Sequence, residues 1–149
     1  HPLFYNKKAF LYPYERNKHS KAYIPSNLNN YKYYMGALNG GEANEYLKLI
    51  ETCSIAIHDD YQNGIIAFFH DESHLNKYLS DKQCLSLSPS YGYPEGRKLP
   101  FDKIIIIRDK VKIDKSFAKS KSLCENPIFR FKRFFNTIIR IINWYIWKQ

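Results

Sequence analysis

Cysteine is scarce in this sequence, with three residues in a chain of 149, and no two of them have CxxC spacing. The number is odd, and the spacing matches neither a disulfide-rich scaffold nor a zinc-binding module. We therefore expect Cys53, Cys84 and Cys124 to be reduced thiols in a protein of a reducing compartment.

A long uncharged apolar stretch is also missing, and the first residues do not resemble a secretory signal. The sequence therefore predicts neither a transmembrane helix nor a cleaved leader. The chain begins at His1 rather than at a methionine, so we expect it to be a fragment of a longer protein.

Negative charge is in short supply, because 14 acidic residues face 23 lysines and arginines and give a net charge of +9. Such a balance favours anionic partners, which include nucleotide phosphates, nucleic acid and anionic lipid. Much of the excess follows Lys110, in a tail rather than on a platform interleaved with aromatic rings. We therefore expect no binding of nucleic acid.

Aromatic residues, by contrast, are abundant at 17% of the chain. Aromatic rings stack on the C–H faces of sugars and on nucleobases. A tyrosine-rich core explains the same composition equally well, so composition alone leaves both interpretations open.

Two stretches have helical spacing. Apolar residues recur on one face between Glu42 and about Asp59, and we expect that face to be buried. It comprises Tyr46, Leu49, Ile50, Cys53 and Ile57. A second helix is predicted to begin near residues 71–73, with Asp71 or Ser73 as its cap.

Three other stretches predict strands. Residues 65–69 and 104–107 are continuous apolar runs, typical of buried strands, and residues 85–88 alternate between Leu and Ser. Residues 1–34 predict short strands and loops, and residues 91–100 a loop rich in Gly and Pro. The alternation of helices and strands predicts an α/β fold with a mixed sheet.

Residues 127–149 differ in character from the rest. Apolar residues share one helical face, basic residues the other, and no acidic residue follows Glu125. This pattern is typical of a helix lying in the plane of a membrane surface, although a terminal helix packed on the protein's own core is the alternative. The predicted organisation is a domain over residues 1–113, a linker over 114–126 and this amphipathic helix.

The densest polar cluster is His70-Asp71-Glu72-Ser73-His74, between a predicted strand and a predicted helix. Ligands bind at such strand ends in α/β proteins, but a plain helix cap would have the same composition. A zinc pair of His70 and His74 is disfavoured, because the glutamate does not directly follow the first histidine and a third ligand is not evident. We therefore predict no metal ligands, and favour Glu72 as a carboxylate that stabilises an oxocarbenium ion.

The ten residues from His70 to Leu79, HDESHLNKYL, closely resemble the signature of glycosyltransferase family 6. This is the family of the blood-group A and B transferases and of α1,3-galactosyltransferase. Further stretches agree with it in order and spacing over about residues 1–95. They include His1-Pro2, Tyr14-Glu15-Arg16, Tyr33 to Ala37, Asn63-Gly64-Ile65 and Leu87-Ser88-Pro89.

The resemblance implies a GT-A fold of which this chain is the C-terminal half, and retaining transfer of a hexose from a UDP-sugar. Glu72 would lie beneath the anomeric carbon, as nucleophile or as electrostatic stabiliser of an ion pair. Asp71 would bind hydroxyls of the donor sugar, and His1 would contact the galactose of the acceptor.

The resemblance also suggests a donor. Met35, Gly36 and Ala37 would line its pocket; in the blood-group pair Met-Gly-Ala accompanies galactose and Leu-Gly-Gly accompanies N-acetylgalactosamine. Since larger residues leave less room for an acetamido group, we expect transfer of galactose from UDP-galactose, in α1,3 linkage, to a β-galactoside. Transfer of N-acetylgalactosamine, or an inactive fragment that binds glycan or membrane, are the alternatives.

Other positions depart from the family pattern. Phe69 stands where the family usually has Trp, and Glu95 is displaced by one residue from an acceptor-contacting Asp. We expect both on the acceptor side. Arg108, Lys110 and Lys112 are the candidates for contact with the phosphates of UDP.

The tail and the reduced thiols resemble bacterial members, which generally lack the family's metal-binding acidic pair. Mn²⁺ is therefore possible but not expected to be required. We expect a bacterial cytoplasmic protein, peripheral on the inner membrane through Pro127–Gln149, with the Golgi lumen as the eukaryotic alternative.

Overall fold

A computed structural model describes residues 1–26 and 32–117. These residues divide into two compact units, one formed by His1 and the described residues between 3 and 88, and the other by Pro2 and residues 89–117. The predicted amphipathic helix, most of the predicted linker and Cys124 lie outside the described residues.

Helix α1 runs from Ala43 to Gln62 and confirms the first predicted helix. The Glu42 side chain caps it by accepting hydrogen bonds from the backbone N–H groups of Asn44 and Glu45. The helix ends at Asn63, before Gly64 in a left-handed conformation with φ of 68°. Glycine adopts this conformation without steric cost, so the Asn-Gly pair stops the helix.

The face of α1 that we predicted to be buried is covered only in part. Tyr46, Leu49 and Cys53 are half-buried, which agrees in part with the prediction. Ile50 and Ile57, however, are 47% and 39% exposed, so their predicted burial is wrong. The covered stripe instead turns toward Asp60, which is 2% exposed and has polar partners inside the unit.

Helix α2 spans His70–Leu79 and packs against α1. It begins one residue before the predicted start, and its N-cap is Phe69 rather than Asp71 or Ser73. The Ser73 hydroxyl nevertheless satisfies the helix end, because it accepts a hydrogen bond from the Phe69 backbone N–H at 3.0 Å. His70 starts the helix with a positive φ of 46°, a strained conformation for a residue with a Cβ.

Several predicted strands of the first unit do not form. Residues 65–69 and 85–88 make no strand, and Ile66 and Leu85 are 70% and 89% exposed. The backbone of the former stretch has other partners: Phe68 N–H donates to the Glu15 carboxylate at 2.6 Å, and Ile65 N–H donates to the Asp60 carbonyl at 2.8 Å. In the described part of residues 1–34 the regular elements are 3-10 turns, Pro2–Phe4 and Ala9–Leu11, rather than strands.

The apolar core of the first unit is aromatic. Tyr14, Ile24 and Tyr33 are buried together, and Phe4 and Tyr12 pack against them. Three tyrosines, Tyr12, Tyr14 and Tyr33, therefore belong to this core, which supports the structural interpretation of the composition for these residues.

The second unit contains a two-stranded parallel sheet of β1, Tyr93–Pro94, and β2, Ile106–Ile107. The predicted strand over residues 104–107 is therefore half as long as expected, and Ile106 is 48% exposed rather than buried. The predicted loop over residues 91–100 contributes β1. A short helix, α3, follows over Lys110–Ile113, capped by the Asp109 side chain.

Helices and strands are thus both present, as the α/β prediction requires, although the sheet is small. None of the helices within residues 1–26 and 32–117 has the length and hydropathy needed to cross a membrane. The GT-A topology stays a prediction.

Candidate active site around Glu72

Glu72 lies in the first turn of α2 with both carboxylate oxygens engaged. The Tyr33 hydroxyl donates a hydrogen bond to Oε1 at 2.6 Å, and the backbone N–H of Gly36 donates to Oε2 at 2.8 Å. Two donors from one segment therefore hold the half-buried carboxylate in a single orientation.

Gly36 lies directly against the Glu72 side chain. A Cβ added at Gly36 would lie 3.4 Å from Oε2 of Glu72 and 3.5 Å from its Cβ. On either side of Gly36, Met35 is half-buried and Ala37 is exposed. The structure therefore brings together two of the predicted groups, Met35–Ala37 and Glu72, which lie far apart in the sequence.

Tyr33 connects this carboxylate to the aromatic core. Its ring centroid lies 5.0 Å from that of Phe4 and 5.5 Å from that of Tyr14. His1 belongs to the same cluster, with its ring 5.6 Å from Tyr33 and its backbone nitrogen 2.9 Å from the Tyr33 carbonyl oxygen. His1, a predicted site residue, therefore lies near the segment that holds Glu72. Tyr33 was not among the predicted site residues.

Asn76 is the second residue that the sequence analysis missed. It lies one turn after Glu72 on α2 and is 2% exposed. Its Oδ1 accepts from Tyr34 N–H at 2.8 Å, and its Nδ2 donates to the carbonyl oxygens of Tyr34 at 3.0 Å and Glu72 at 2.8 Å. The Asn76 amide therefore binds both the N–H and the carbonyl of Tyr34 and links them to helix α2. The only signal in the sequence was its place within the HDESHLNKYL string.

The other predicted members of the cluster differ in their surroundings. Asp71 and His70 are exposed at the start of α2. The Phe69 ring is half-buried and meets the Phe68 ring edge-on, with the centroids 4.8 Å apart. Asp71 is therefore accessible to a ligand, whereas Phe69 is partly engaged by its neighbour.

His74 belongs to a buried polar network rather than to an open site. Its Nε2 lies 3.5 Å from Asp60 Oδ2, and its Nδ1 has no hydrogen-bond partner among the described residues. Asp60 accepts hydrogen bonds from the Ser20 hydroxyl at 2.6 Å and the Lys21 backbone N–H at 2.7 Å. Burial lowers the pKa of His74, although the charges of Asp60, Glu15 and Asp71 oppose the shift. Within the described ranges, no group of three or more His, Cys, Asp and Glu side chains could hold a metal ion.

Glu95, Arg108 and Lys110 lie in the second unit. Glu95 accepts a hydrogen bond from the Asp109 backbone N–H at 2.8 Å, and Arg108 Nε and Lys112 Nζ each lie 3.6 Å from its carboxylate. The Asp109 hydrogen bond and these two cations lower the pKa of Glu95. The Lys110 ammonium lies 5.0 Å from the centroid of the Phe117 ring. Arg108 is therefore already beside an acidic partner, while Lys110 faces an aromatic ring.

The sequence is similar to those of known glycosyltransferases. The sequence model of glycosyltransferase family 6 matches residues 1–118. The O-antigen biosynthesis glycosyltransferase WbnI of Escherichia coli is 38% identical over 110 residues, which cover 74% of this chain and 47% of that protein.

Two animal proteins are also similar. The histo-blood group ABO system transferase 2 of Rattus norvegicus is 47% identical over 61% of this chain and 27% of its own length. The globoside alpha-1,3-N-acetylgalactosaminyltransferase 1 of Gallus gallus is 34% identical over 82% of this chain and 35% of its own length. The chain thus spans about half of the bacterial relative and about a third or less of the animal ones.

Proposed function

Because the chain belongs to glycosyltransferase family 6, we propose that it forms the part of a retaining hexosyltransferase that carries the central carboxylate, Glu72. The observation that supports this most directly is the pair of hydrogen bonds from Tyr33 and Gly36 to the two oxygens of Glu72. A carboxylate fixed in this way is suited to a transition state in which positive charge develops on a sugar carbon.

The proposed reaction transfers galactose from UDP-galactose to a β-galactoside. The bond between the anomeric carbon and the β-phosphate oxygen breaks, and its electron pair leaves with UDP. The acceptor's 3-hydroxyl oxygen bonds to the anomeric carbon on the same face and passes its proton to a phosphate oxygen of UDP. Glu72 stabilises the positive charge between these events, or forms a transient covalent bond to the sugar, as in retaining glycosidases.

The remaining predicted residues are assigned to the two substrates. Met35, Gly36 and Ala37 contact the donor sugar, and the exposed Asp71 accepts hydrogen bonds from its hydroxyls. Arg108 and Lys110 contact the phosphates of UDP. His1, Phe69 and Glu95 are each assigned to the acceptor. These assignments rest on the family resemblance together with the contact between Gly36 and Glu72.

N-acetylgalactosamine is the second candidate for the transferred sugar. The named activity of the chicken relative favours it, because that protein is an alpha-1,3-N-acetylgalactosaminyltransferase. Met35 and Ala37 favour galactose, since their side chains fill space that an acetamido group would need.

A transfer assay tests both candidates. The chain is assayed alone and joined behind the part of the E. coli relative that precedes the matched region, with each UDP-sugar, a β-galactoside acceptor, and EDTA present or absent. We expect transfer from UDP-galactose that survives EDTA. Loss of transfer with EDTA would overturn the metal-independent proposal, and preference for UDP-N-acetylgalactosamine would overturn the donor assignment.

The variant Glu72→Gln tests the assigned carboxylate. It should lower turnover at least about a hundredfold, since it removes the charge at the reacting centre while keeping the shape of the side chain. Glu51→Gln, at an exposed position of α1, is the matched control and should retain full turnover. Normal turnover of Glu72→Gln would remove Glu72 from the mechanism.

The tail carries a separate proposal, that residues 127–149 bind an anionic membrane surface and place the protein on the bacterial inner membrane. It rests on the sequence pattern of basic and apolar faces. Deletion of residues 127–149 should abolish co-sedimentation with vesicles that contain anionic lipid. Unchanged co-sedimentation of the shortened chain would contradict the proposal.

A further inference from the structure

Packing of the Tyr33 ring in the aromatic core fixes the position of its hydroxyl. Tyr33 is 4% exposed, and its ring is surrounded by those of Phe4, Tyr12 and Tyr14, with centroids 5.0, 6.1 and 5.5 Å away. Packing on several sides restricts the side-chain torsions of a buried aromatic residue. The hydroxyl therefore stays directed at Oε1 of Glu72.

The hydrogen bond that it makes is of the strong kind. The O···O distance of 2.6 Å lies in the range expected for a hydroxyl that donates to a charged carboxylate. The other oxygen of Glu72 accepts from the Gly36 backbone, which no side-chain substitution removes. Of these two donors to Glu72, Tyr33 is therefore the one that can be removed by substitution.

The backbone around these donors is also fixed. Asn76 holds both the N–H and the carbonyl of Tyr34, the residue that directly follows Tyr33. Because Asn76 and Glu72 lie one turn apart on α2, the segment that carries both donors is aligned with the carboxylate that receives them.

We infer that Tyr33 is a positioning residue for Glu72: its hydroxyl orients the carboxylate for transition-state stabilisation without touching the substrate. The inference rests on the proposed function of Glu72. Tyr33 acts on the chemical step rather than on substrate binding, because the interaction that it supports matters most when charge develops on the sugar.

The variant Tyr33→Phe removes the hydroxyl and keeps the ring. In the joined protein we expect kcat to fall about tenfold to a hundredfold, with the KM of the UDP-sugar changed less than about threefold. Tyr12→Phe is the matched control, since its ring belongs to the same core but its hydroxyl makes no hydrogen bond to a described residue. A rise in KM at constant kcat in Tyr33→Phe would overturn the inference.

A double-mutant cycle separates positioning from a structural role. If Tyr33 acts through Glu72, Tyr33→Phe should lower kcat by less than about threefold in the Glu72→Gln background. An equal fall in both backgrounds would refute action through Glu72. Full turnover of Glu72→Gln would instead refute the proposed function, so the two failures are distinguishable.

A second replacement covers the case in which Tyr33→Phe fails to fold. Difluorotyrosine at position 33 keeps the ring and the hydroxyl but loses its proton at lower pH than tyrosine does. As the pH is raised, the kcat of that protein should fall at a lower pH than the kcat of the unmodified protein does. Identical alkaline profiles of the two proteins would overturn the inference.

Discussion

Replacement of Asn76 by aspartate is the sharpest test of how the site is held together. The two side chains have nearly the same shape, so Asn76→Asp creates no cavity. It removes, however, both hydrogens that Nδ2 donates to the carbonyl oxygens of Tyr34 and Glu72, at 3.0 and 2.8 Å. A carboxylate oxygen would then face two carbonyl oxygens at a position that is 2% exposed.

The expected cost follows from these contacts. Each lost hydrogen bond leaves a carbonyl oxygen without that donor, at about 1 kcal/mol or more each. Burial of an unpaired charge adds further, so a total of about 3–5 kcal/mol is reasonable. This is a large fraction of the roughly 5–15 kcal/mol by which such domains are stable. Asn76→Ala, which introduces no charge, should cost about 2–3 kcal/mol.

Urea denaturation followed by far-UV circular dichroism measures the effect, because α1 and α2 both belong to the first unit. The midpoint should fall with little change in the slope m. The loss should be smaller at about pH 4 than at about pH 7, because protonation of the new carboxyl restores one donor. Asn44→Asp, exposed in the first turn of α1, is the control and should change stability by less than about 0.5 kcal/mol. A loss below about 1 kcal/mol in Asn76→Asp would refute the role given to this amide.

Two other predictions concern His74 and Ala37. Because the pKa of buried His74 is lowered from 6.5, the unfolded chain takes up a proton before the folded chain does as the pH falls, so the free energy of unfolding should decrease below that pH. In His74→Gln the urea midpoint should therefore change less between about pH 7 and pH 5 than in the unmodified protein. An equal change of the midpoint in both proteins would contradict this prediction. Ala37→Gly should raise the ratio of kcat/KM for UDP-N-acetylgalactosamine over UDP-galactose by about tenfold or more in a direct competition assay, and an unchanged ratio would remove position 37 from donor choice.

The two longer helices were predictable from the sequence, whereas of the predicted strands over residues 65–69, 85–88 and 104–107 only Ile106–Ile107 forms. Helical spacing and the Asn63-Gly64 stop define α1 from local information alone. Residues 65–69 are as apolar as a buried strand, but their backbone is paired with Glu15 and Asp60. The partner Glu15 lies 53 residues from Phe68, and no local pattern reveals such a contact.

The sequence identified candidate residues for the site, but not the contacts that hold them. Glu72 and Met35–Ala37 were identified through the family resemblance, and the structure brings Gly36 against Glu72. Tyr33 and Asn76 were missed, because a tyrosine in a tyrosine-rich chain and an asparagine in mid-helix carry no distinctive pattern. Their roles follow from hydrogen bonds that span 39 and 42 residues of sequence.

The hydrogen bonds that hold Glu72 also bear on how an inactive chain should be interpreted. Tyr33, Gly36 and Asn76 all belong to the first unit, so the orientation of this carboxylate depends on residues that the chain itself supplies. The region matched to the E. coli relative spans only 47% of that protein. Failure of the chain alone to transfer sugar would therefore leave the role of Glu72 untouched. The comparison that decides it is Glu72→Gln against Glu51→Gln in the joined protein, where the preceding part of the E. coli relative is present in both.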